Sequence, residues 1–286
     1  TFIMIEVKTY AKVNLTLEVL NKRDDGFHNI QSIMQNIDLF DVLSFNITNI
    51  ESENQIEING NVISIPYDNS NLVYQAIELF FEKTSIKNKK VQVYINKNIP
   101  TEAGLAGGSS NAVGTFVALN KYFNDILNEN ELHSLCLSLG SDLNFCLVGG
   151  TCLCTSRGEV VQKLNDVNLN ISLIKPLNIG IKAGYAYKKY AEEQIKINKD
   201  KTSKLVKLIQ NNQFDKRLIY NDLELPLLKE VNEFKNIKKV KPNSIMTGSG
   251  SVFYIINDTF NYNDFEPDKY LIFNNIKTFN KGYEVL

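Results

Sequence analysis

Regular alternation of apolar and polar residues near the start of the chain predicts a half-buried β-strand over residues 13–20. The apolar set is Val13, Leu15, Leu17 and Val19, and the polar set is Asn14, Thr16 and Glu18. Residues 22–26 contain Asp24-Asp25-Gly26, which is typical of a turn. The chain is therefore expected to reverse direction directly after this strand.

Further β-rich and helical patterns continue along the whole chain. Strands are predicted at residues 32–37, 42–48, 55–59, 91–95, 145–155, 171–175, 244–246 and 252–256. Helices are predicted at residues 72–83, 111–123, 129–139, 183–194, 203–211 and 223–234, the first capped by Asn69 or Ser70. A second half of the chain is predicted to begin near Asn168. Because strands and helices do not alternate regularly, the pattern favours an α+β fold.

Composition is that of an ordinary soluble globular protein and excludes some functions. The 286 residues carry a net charge of −1, with 43% hydrophobic and 22% charged residues, so no overall field favours nucleic acid or an anionic membrane. The lysine-rich stretches 87–90 and 196–207 are interpreted as solvated surface. No apolar run has the length of a membrane span and no export signal is recognisable, so a cytoplasmic location is expected.

The cysteines argue against a zinc site and for a reducing compartment. They form no C-x-x-C pair, and the chain has only two histidines. We expect all of them to be buried free thiols: Cys136, Cys146, Cys152 and Cys154.

The strongest chemical signal is a glycine-rich segment at residues 100–111, between a predicted strand and a predicted helix. Glycines allow a close approach of the backbone to a ligand, and the N-terminus of the following helix adds unpaired N–H groups. Ser109 and Ser110 could bind phosphate oxygens or magnesium. The segment fits neither G-x-x-x-x-G-K-[ST] nor G-x-G-x-x-G. Polyphosphate binding is one interpretation, and a tight turn with a serine cap is the other.

Three further segments are ambiguous when each is taken alone. Lys12 and Asn14 could line a cleft or simply face water. Asp142, after Gly140, could cap a helix or orient an acceptor hydroxyl and take its proton. The second glycine turn, residues 246–251, could be a hairpin or a further strap near the phosphates.

Taken together and in this order, these segments resemble the GHMP kinase superfamily. The resemblance is closest to the branch that acts on a cytidine diphosphate conjugate of methylerythritol in the non-mevalonate isoprenoid pathway. The matching motifs are Ala11-Lys12-Val13-Asn14-Leu15, Asp25-Gly26-Phe27-His28, Gln35-Asn36-Ile37-Asp38, residues 100–112, Leu139-Gly140-Ser141-Asp142 and Met246-Thr247-Gly248-Ser249-Gly250. The Asp-Gly-Phe-His turn joined to the first motif narrows the choice to this branch.

The resemblance implies a two-lobed kinase that uses ATP and Mg²⁺. The N-terminal lobe, residues 1–167, would resemble domain 2 of ribosomal protein S5, and residues 168–286 would form an α/β sandwich. The substrate would be a small molecule bound in the cleft between the lobes, with no nucleic acid or membrane as partner. The protein is expected to be a monomer or a weak homodimer.

The same resemblance assigns roles to individual residues, and it leaves the metal ligands open. Asp142 is expected to be the catalytic base and Lys12 its partner. The ATP-binding set is Lys97, Pro100, Gly104, Leu105, Ala106, Gly107, Gly108, Ser109 and Ser110. The substrate-binding set is Asn14, His28, which would read the cytosine, and the sandwich of Phe27 and Tyr187. The loop of the third motif would add Gly248, Ser249 and Gly250.

Some positions depart from the pattern of that branch. Phe27 replaces a commoner tyrosine, Ala183 replaces a threonine of some members, and Ser251 replaces a proline or alanine. Another kinase of the superfamily, acting on mevalonate or homoserine, remains an alternative. A non-catalytic sensor that binds ATP and a metabolite is a second one.

Overall fold

The computed structural model describes residues 4–193 and 200–286, which form two β-sheets with helices. The strands of these segments are β1 (Met4–Lys22), β2 (His28–Asn49), β3 (Gln55–Gly60), β4 (Lys89–Asn96), β5 (Thr151–Ser156), β6 (Val160–Lys163), β7 (Asn170–Pro176), β8 (Tyr220–Asn221), β9 (Ile245–Met246), β10 (Phe253–Ile256), β11 (Tyr270–Lys277) and β12 (Tyr283–Val285). The helices are α1 (Leu72–Thr84), α2 (Gly107–Tyr122), α3 (Glu129–Leu139), α4 (Leu143–Val148), α5 (Ala183–Glu193), α6 (Lys201–Gln210), α7 (Glu224–Glu230) and α8 (Asn232–Val240).

The first sheet has the strand order β12-β1-β2-β4-β3, with β5 and β6 continuing from β2 and β8 pairing with β1. The second sheet has the order β11-β7-β10-β9. Mixed pairing and irregular alternation of helices and strands confirm the α+β class. The predicted boundary between the two halves of the chain near residue 168 stays a prediction. Two strands that follow it, β8 and β12, join the first sheet by pairing with β1.

Most predicted elements are present, with corrections to several bounds. The strands predicted at 32–37 and 42–48 form one long strand, β2. The helix predicted at 223–234 is two helices, α7 and α8, because Val231 between them is extended. The cap of α1 is Asn71, whose side chain accepts a hydrogen bond from the Val73 N–H. Position 194, predicted as the end of a helix, lies outside the described residues.

The strand predicted at 145–155 is wrong in its first half. Residues 143–148 form helix α4, and β5 begins only at Thr151. A short apolar run is ambiguous between a buried helix and a buried strand. Gly149 and Gly150, both with positive φ, separate the two elements here.

The first strand is buried on both faces, so the half-buried interpretation is wrong. Its apolar residues pack in the core shared with the second sheet, where Tyr254 and Ile99 are also buried. The polar side chains are equally inaccessible, and none of Lys12, Asn14 and Thr16 is more than 3% exposed. The polar face of β1 therefore lies inside the molecule, where Lys12 and Asn14 line the cavity described below.

The free cysteines lie in the core of the first sheet and its helices, as predicted. Burial raises the pKa of Cys136 and Cys152 to about 12 in each case, which makes both thiols inert at neutral pH. Of the helices in residues 4–193 and 200–286, none combines the length and apolar character that crossing a bilayer requires.

Candidate active site

The glycine-rich segment leads directly into helix α2. The chain leaves β4 at Asn96, Ala106 adopts the left-handed conformation as N-cap, and the helix starts at Gly107. The predicted start at residue 111 is therefore wrong, because the second half of the glycine segment is the first helical turn. Ser110 N–H already donates to Ala106 O at 2.9 Å. Residues 107–109 before it line the cavity described below, and the unpaired N–H groups of a helix N-terminus can bind anionic oxygens at the favourable end of the helix dipole.

The two glycine turns of the sequence pack against each other. Gly104 has φ +74°, and a Cβ there would overlap the carbonyl oxygen of Thr247. Val252 N–H donates to Ala103 O at 3.3 Å, and Lys12 N–H donates to Leu105 O at 3.1 Å. The second glycine turn is thus a hairpin between β9 and β10 and also lies against the first glycine segment.

Lys12 and Asp142 meet in the same region. Lys12 Nζ lies 3.5 Å from Asp142 Oδ2, with the lysine side chain 3% and the aspartate side chain 33% exposed. Asp142 precedes helix α4, but among the described residues its side chain makes no capping hydrogen bond. The cap interpretation of this aspartate therefore fails, and its carboxylate is available to a ligand.

Asn14 holds Lys12 in place and is itself held by Ser32 and Thr247. Lys12 Nζ donates to Asn14 Oδ1 at 2.8 Å, and Asn14 Nδ2 donates to Ser32 Oγ at 2.8 Å. The backbone N–H of Asn14 donates to Thr247 Oγ1 at 3.0 Å. Sequence reasoning did not assign roles to Ser32 and Thr247, although Thr247 lies within a quoted motif.

Lys97 lines the cavity beside the start of α2, and its ammonium group is bound by buried partners. Its Nζ donates to Asp41 Oδ2 at 2.5 Å and to Asn111 Oδ1 at 3.2 Å. Asp41 is fully buried and also accepts hydrogen bonds from the N–H groups of Asn98 and Ile99. The predicted role of Lys97 in ATP binding stays a prediction, and its contacts show that it anchors the glycine segment. The partner Asp41 was missed because it lies on a distant strand with no local signal.

Three aromatic side chains, Phe27, His28 and Tyr187, define what we call the aromatic end of the site. The rings of His28 and Tyr187 are stacked, with centroids 5.4 Å apart and planes at 15°. Tyr187 thus pairs with His28 here, and its predicted pairing with Phe27 around a base stays a prediction. Burial and the neighbouring Lys22 lower the pKa of His28, so the imidazole is neutral at pH 7. Burial, with a smaller contribution from Asp142, raises the pKa of Tyr187.

One cavity of about 1120 Å³ joins the glycine segment, the Lys12–Asp142 pair and the aromatic end. It is lined by nearly all predicted site residues: Lys12, Asn14, Phe27, His28, Lys97, Pro100, Gly104, Leu105, Ala106, Gly107, Gly108, Ser109, Asp142, Tyr187, Gly248 and Ser249. Two predicted residues, Ser110 and Gly250, are not part of this lining. The Ser110 hydroxyl donates back to Gly107 O at 3.0 Å, and Gly250 N–H donates to Thr247 O at 3.0 Å.

The arrangement places three kinds of chemistry in one space. A helix N-terminus suits a polyphosphate, an exposed carboxylate beside a lysine suits transfer to a hydroxyl, and aromatic rings suit a planar base. A cavity of this size has room for two substrates bound side by side.

Sequence comparison connects this site to known enzymes. The family of GHMP kinases N terminal domain matches residues 71–150, which include the glycine segment and Asp142. A 4-diphosphocytidyl-2-C-methyl-D-erythritol kinase of Clostridium tetani is 39% identical over 87% of this chain and 90% of its own length. The enzyme of the same name from Caldanaerobacter subterraneus subsp. tengcongensis is 36% identical over 99% of both chains.

Structural comparison confirms the fold. A crystal structure of 4-(cytidine 5'-diphospho)-2C-methyl-D-erythritol kinase matches with a TM-score of 0.74 and 22% identity, over 96% of this chain and all of the other. Homoserine kinase from Cytophaga hutchinsonii also reaches 0.74, with 17% identity over 99% of this chain and 97% of its own. The equal scores show that the fold alone does not select the acceptor alcohol.

Proposed function

The chain belongs to the family of 4-diphosphocytidyl-2-C-methyl-D-erythritol kinases, and on this premise we propose how its residues perform the reaction. The enzyme transfers the γ-phosphoryl group of ATP to the 2-hydroxyl of 4-diphosphocytidyl-2-C-methyl-D-erythritol, in isoprenoid biosynthesis. The products are the 2-phosphate and ADP. Sequence identity above 35% over most of the chain supports this substrate over mevalonate or homoserine.

The observation that carries the mechanism is the position of the Lys12–Asp142 pair. It lies in one cavity with the N-terminus of α2 and with the aromatic end. ATP would place its phosphates on the N–H groups of residues 107–109, and the base of the cytidyl substrate would lie among the aromatic rings. The acceptor hydroxyl would then reach Asp142 from one side and the γ-phosphoryl group from the other.

The chemistry at Asp142 is a single displacement. The 2-hydroxyl oxygen forms a bond to the γ-phosphorus while the bond from that phosphorus to the β,γ-bridging oxygen breaks, and ADP leaves. Asp142 accepts the hydrogen of the hydroxyl and passes it on as a proton when the product departs. Lys12, 3.5 Å from the carboxylate, offsets the negative charge of the transferring group.

We include Mg²⁺ in the proposal because the residues suit it. Magnesium in phosphoryl-transfer sites uses one or two protein ligands together with substrate phosphates. The Ser109 hydroxyl, on the cavity lining at the start of α2, would supply such a ligand beside the phosphates of ATP. The ion would neutralise charge on the phosphates when bound.

A cytoplasmic location is also part of the proposal, supported by the four buried thiols that remain free. Disulfides form in oxidising compartments, whereas these cysteines stay reduced in the core.

The test is a product assay with a panel of acceptors. The purified protein is incubated with ATP, Mg²⁺ and either the cytidyl methylerythritol conjugate, mevalonate or homoserine, and products are identified by mass. We expect one added phosphoryl group on the cytidyl conjugate alone. Phosphorylation of homoserine or mevalonate instead would refute the proposal, and binding of both ligands without any product would support the sensor alternative.

A further inference from the structure

Phe27 lies at an exposed position in the turn between β1 and β2. Its side chain is 53% exposed, although the ring lines the cavity. A ring with so few neighbours must lose rotamer freedom when a base stacks on it, and this loss weakens binding. A group that holds the ring beforehand would remove that cost.

Arg157 is placed to do this. The carbon of its guanidinium group lies 5.0 Å from the centroid of the Phe27 ring, within the range of a cation–π contact. Arg157 comes from the turn between β5 and β6 and also lines the cavity. Sequence reasoning gave it no role.

The turn that carries Phe27 is fixed to the turn that carries Arg157. Arg23 Nη1 donates to Ser156 Oγ at 3.0 Å and to Asn29 Oδ1 at 3.1 Å. Arg23 N–H also donates to Phe27 O at 2.8 Å, which closes the first turn. The two turns therefore hold the ring and the cation at a defined separation.

The acidic residue nearest to Arg157 in sequence, Glu159, already accepts hydrogen bonds within the turn between β5 and β6. Glu159 Oε1 accepts from Ser156 Oγ at 2.9 Å, and Glu159 Oε2 accepts from the backbone N–H of Arg157 at 2.7 Å. The guanidinium Nε forms an ion pair with Glu159 Oε1 at 3.7 Å, a separation too long for a direct hydrogen bond. Within residues 4–193 and 200–286 this buried Nε–H has no hydrogen-bond acceptor. The ion pair with Glu159 therefore leaves this N–H without a direct acceptor, and the guanidinium plane stays available to the Phe27 ring.

We propose that Arg157 is a positioning residue for the cytidyl substrate. Its guanidinium group backs one face of Phe27 and fixes the plane of the ring, which leaves the other face for the pyrimidine base. This role rests on the proposed function, because it assumes a substrate with a base.

The direct test replaces Arg157 by methionine, which keeps the length of the side chain and removes its charge. We expect the KM for the cytidyl substrate to rise about fivefold to thirtyfold, the range of a partly desolvated cation–π contact. The kcat and the KM for ATP should stay unchanged. Arg157→Lys should recover part of the loss. Arg217→Met is the matched control, because Arg217 pairs with Asp215 on the surface and does not line the cavity.

Two measurements separate positioning of the ring from a general structural effect. In a Phe27→Leu background, Arg157→Met should cause no further rise in KM, since the ring it supports is gone. The chain contains no tryptophan, so Phe27→Trp introduces a single fluorescent reporter at the stacking position. Cytidine 5'-diphosphate should quench this tryptophan, with a Kd that rises when Arg157→Met is added.

The outcomes distinguish this inference from the proposed function. A wild-type protein that does not phosphorylate the cytidyl conjugate refutes the function, and the fluorescence titration then still decides on Arg157. A wild type that turns over normally, with an unchanged KM in Arg157→Met, refutes the positioning role alone. Fully multiplicative effects of the Arg157 and Phe27 substitutions would also overturn it.

Discussion

Replacing Asp142 by asparagine separates a catalytic carboxylate from a structural one. The substitution keeps the size and shape of the side chain and removes its charge and its ability to accept a proton. Because the Asp142 side chain makes no capping hydrogen bond among the described residues, the fold loses little. The ion pair joins a buried lysine to an aspartate side chain that is one-third exposed, so solvent keeps the loss of stability below that of a fully buried pair. Lys12 also keeps its hydrogen bond to Asn14.

The catalytic loss should be far larger than this change in stability. A positioned general base contributes a factor of about 10²–10⁴ in rate, which corresponds to about 2.7–5.5 kcal/mol of activation free energy. Both ligands should still bind, since their proposed contacts lie on the glycine segment and at the aromatic end. Lys12→Met should reduce the rate as well. The double variant should be less impaired than the product of both defects, because residues that act as a unit are not additive.

Single-turnover kinetics beside a thermal melt is the appropriate assay. Saturating enzyme removes effects of product release, and the melt reports any loss of stability. Asp125→Asn is a suitable control, because Asp125 forms an exposed ion pair with Lys121 on helix α2. A folded Asp142→Asn enzyme with near-normal single-turnover rate would refute the mechanism and leave the family assignment intact.

Three further substitutions test other parts of the site. Gly107→Val should abolish ATP binding by calorimetry, because its side chain would press on Lys97 and Ile99 and displace the start of α2; unchanged affinity would mean that the phosphates bind elsewhere. Gly104→Ala should lower the free energy of unfolding by about 2 kcal/mol or more in urea titrations, since alanine is strained at φ +74° and would overlap Thr247 O. An unchanged free energy of unfolding would contradict the close packing of the two glycine turns. Because the pKa of His28 is lowered, its imidazole stays neutral until the pH falls below its ordinary value of 6.5. In the wild type, the KM for the cytidyl substrate should stay constant above that pH and rise below it. His28→Gln should raise this KM at all pH values, and its KM should not rise further at acidic pH.

Much of the fold follows from local patterns, and the failures have identifiable physical causes. Helix α3 matches its predicted bounds, and its capping box of Asn128 and Glu131 shows why a local signal sufficed. Strand β11 was missed because a register shift after Phe273, with Asn275 at positive φ, interrupts its alternation. Strand β8 has only two residues and exists through its pairing with β1. No local pattern can predict an element that tertiary contacts alone define.

In the candidate site too, residues with a local sequence signal could be predicted, and residues placed by tertiary contacts could not. Motif residues such as Lys12, Asp142 and Gly104 could be named because their spacing carries information. The groups that hold them could not. Asp41 lies on the distant strand β2 with no local signal, and the contact of Thr247 with Asn14 exists only once the chain has folded, although Thr247 is inside a quoted motif. Burial of the polar face of β1 was also hidden, since alternation looks the same whether the polar side meets water or other parts of the protein.

The pairing of β12 with β1 bears on the order in which the active site assembles. Tyr10 donates a hydrogen bond to Glu284 at 2.6 Å across 274 positions of sequence, two residues before Lys12 on the same strand. During synthesis the nascent strand that carries Lys12 therefore leaves the ribosome long before its neighbour in the sheet exists. Contacts of such long range slow folding, because a large loop must close before they form. We expect a fragment of residues 1–167, translated on its own, to bind ATP only weakly, and to bind it more tightly when the segment around residue 284 is supplied.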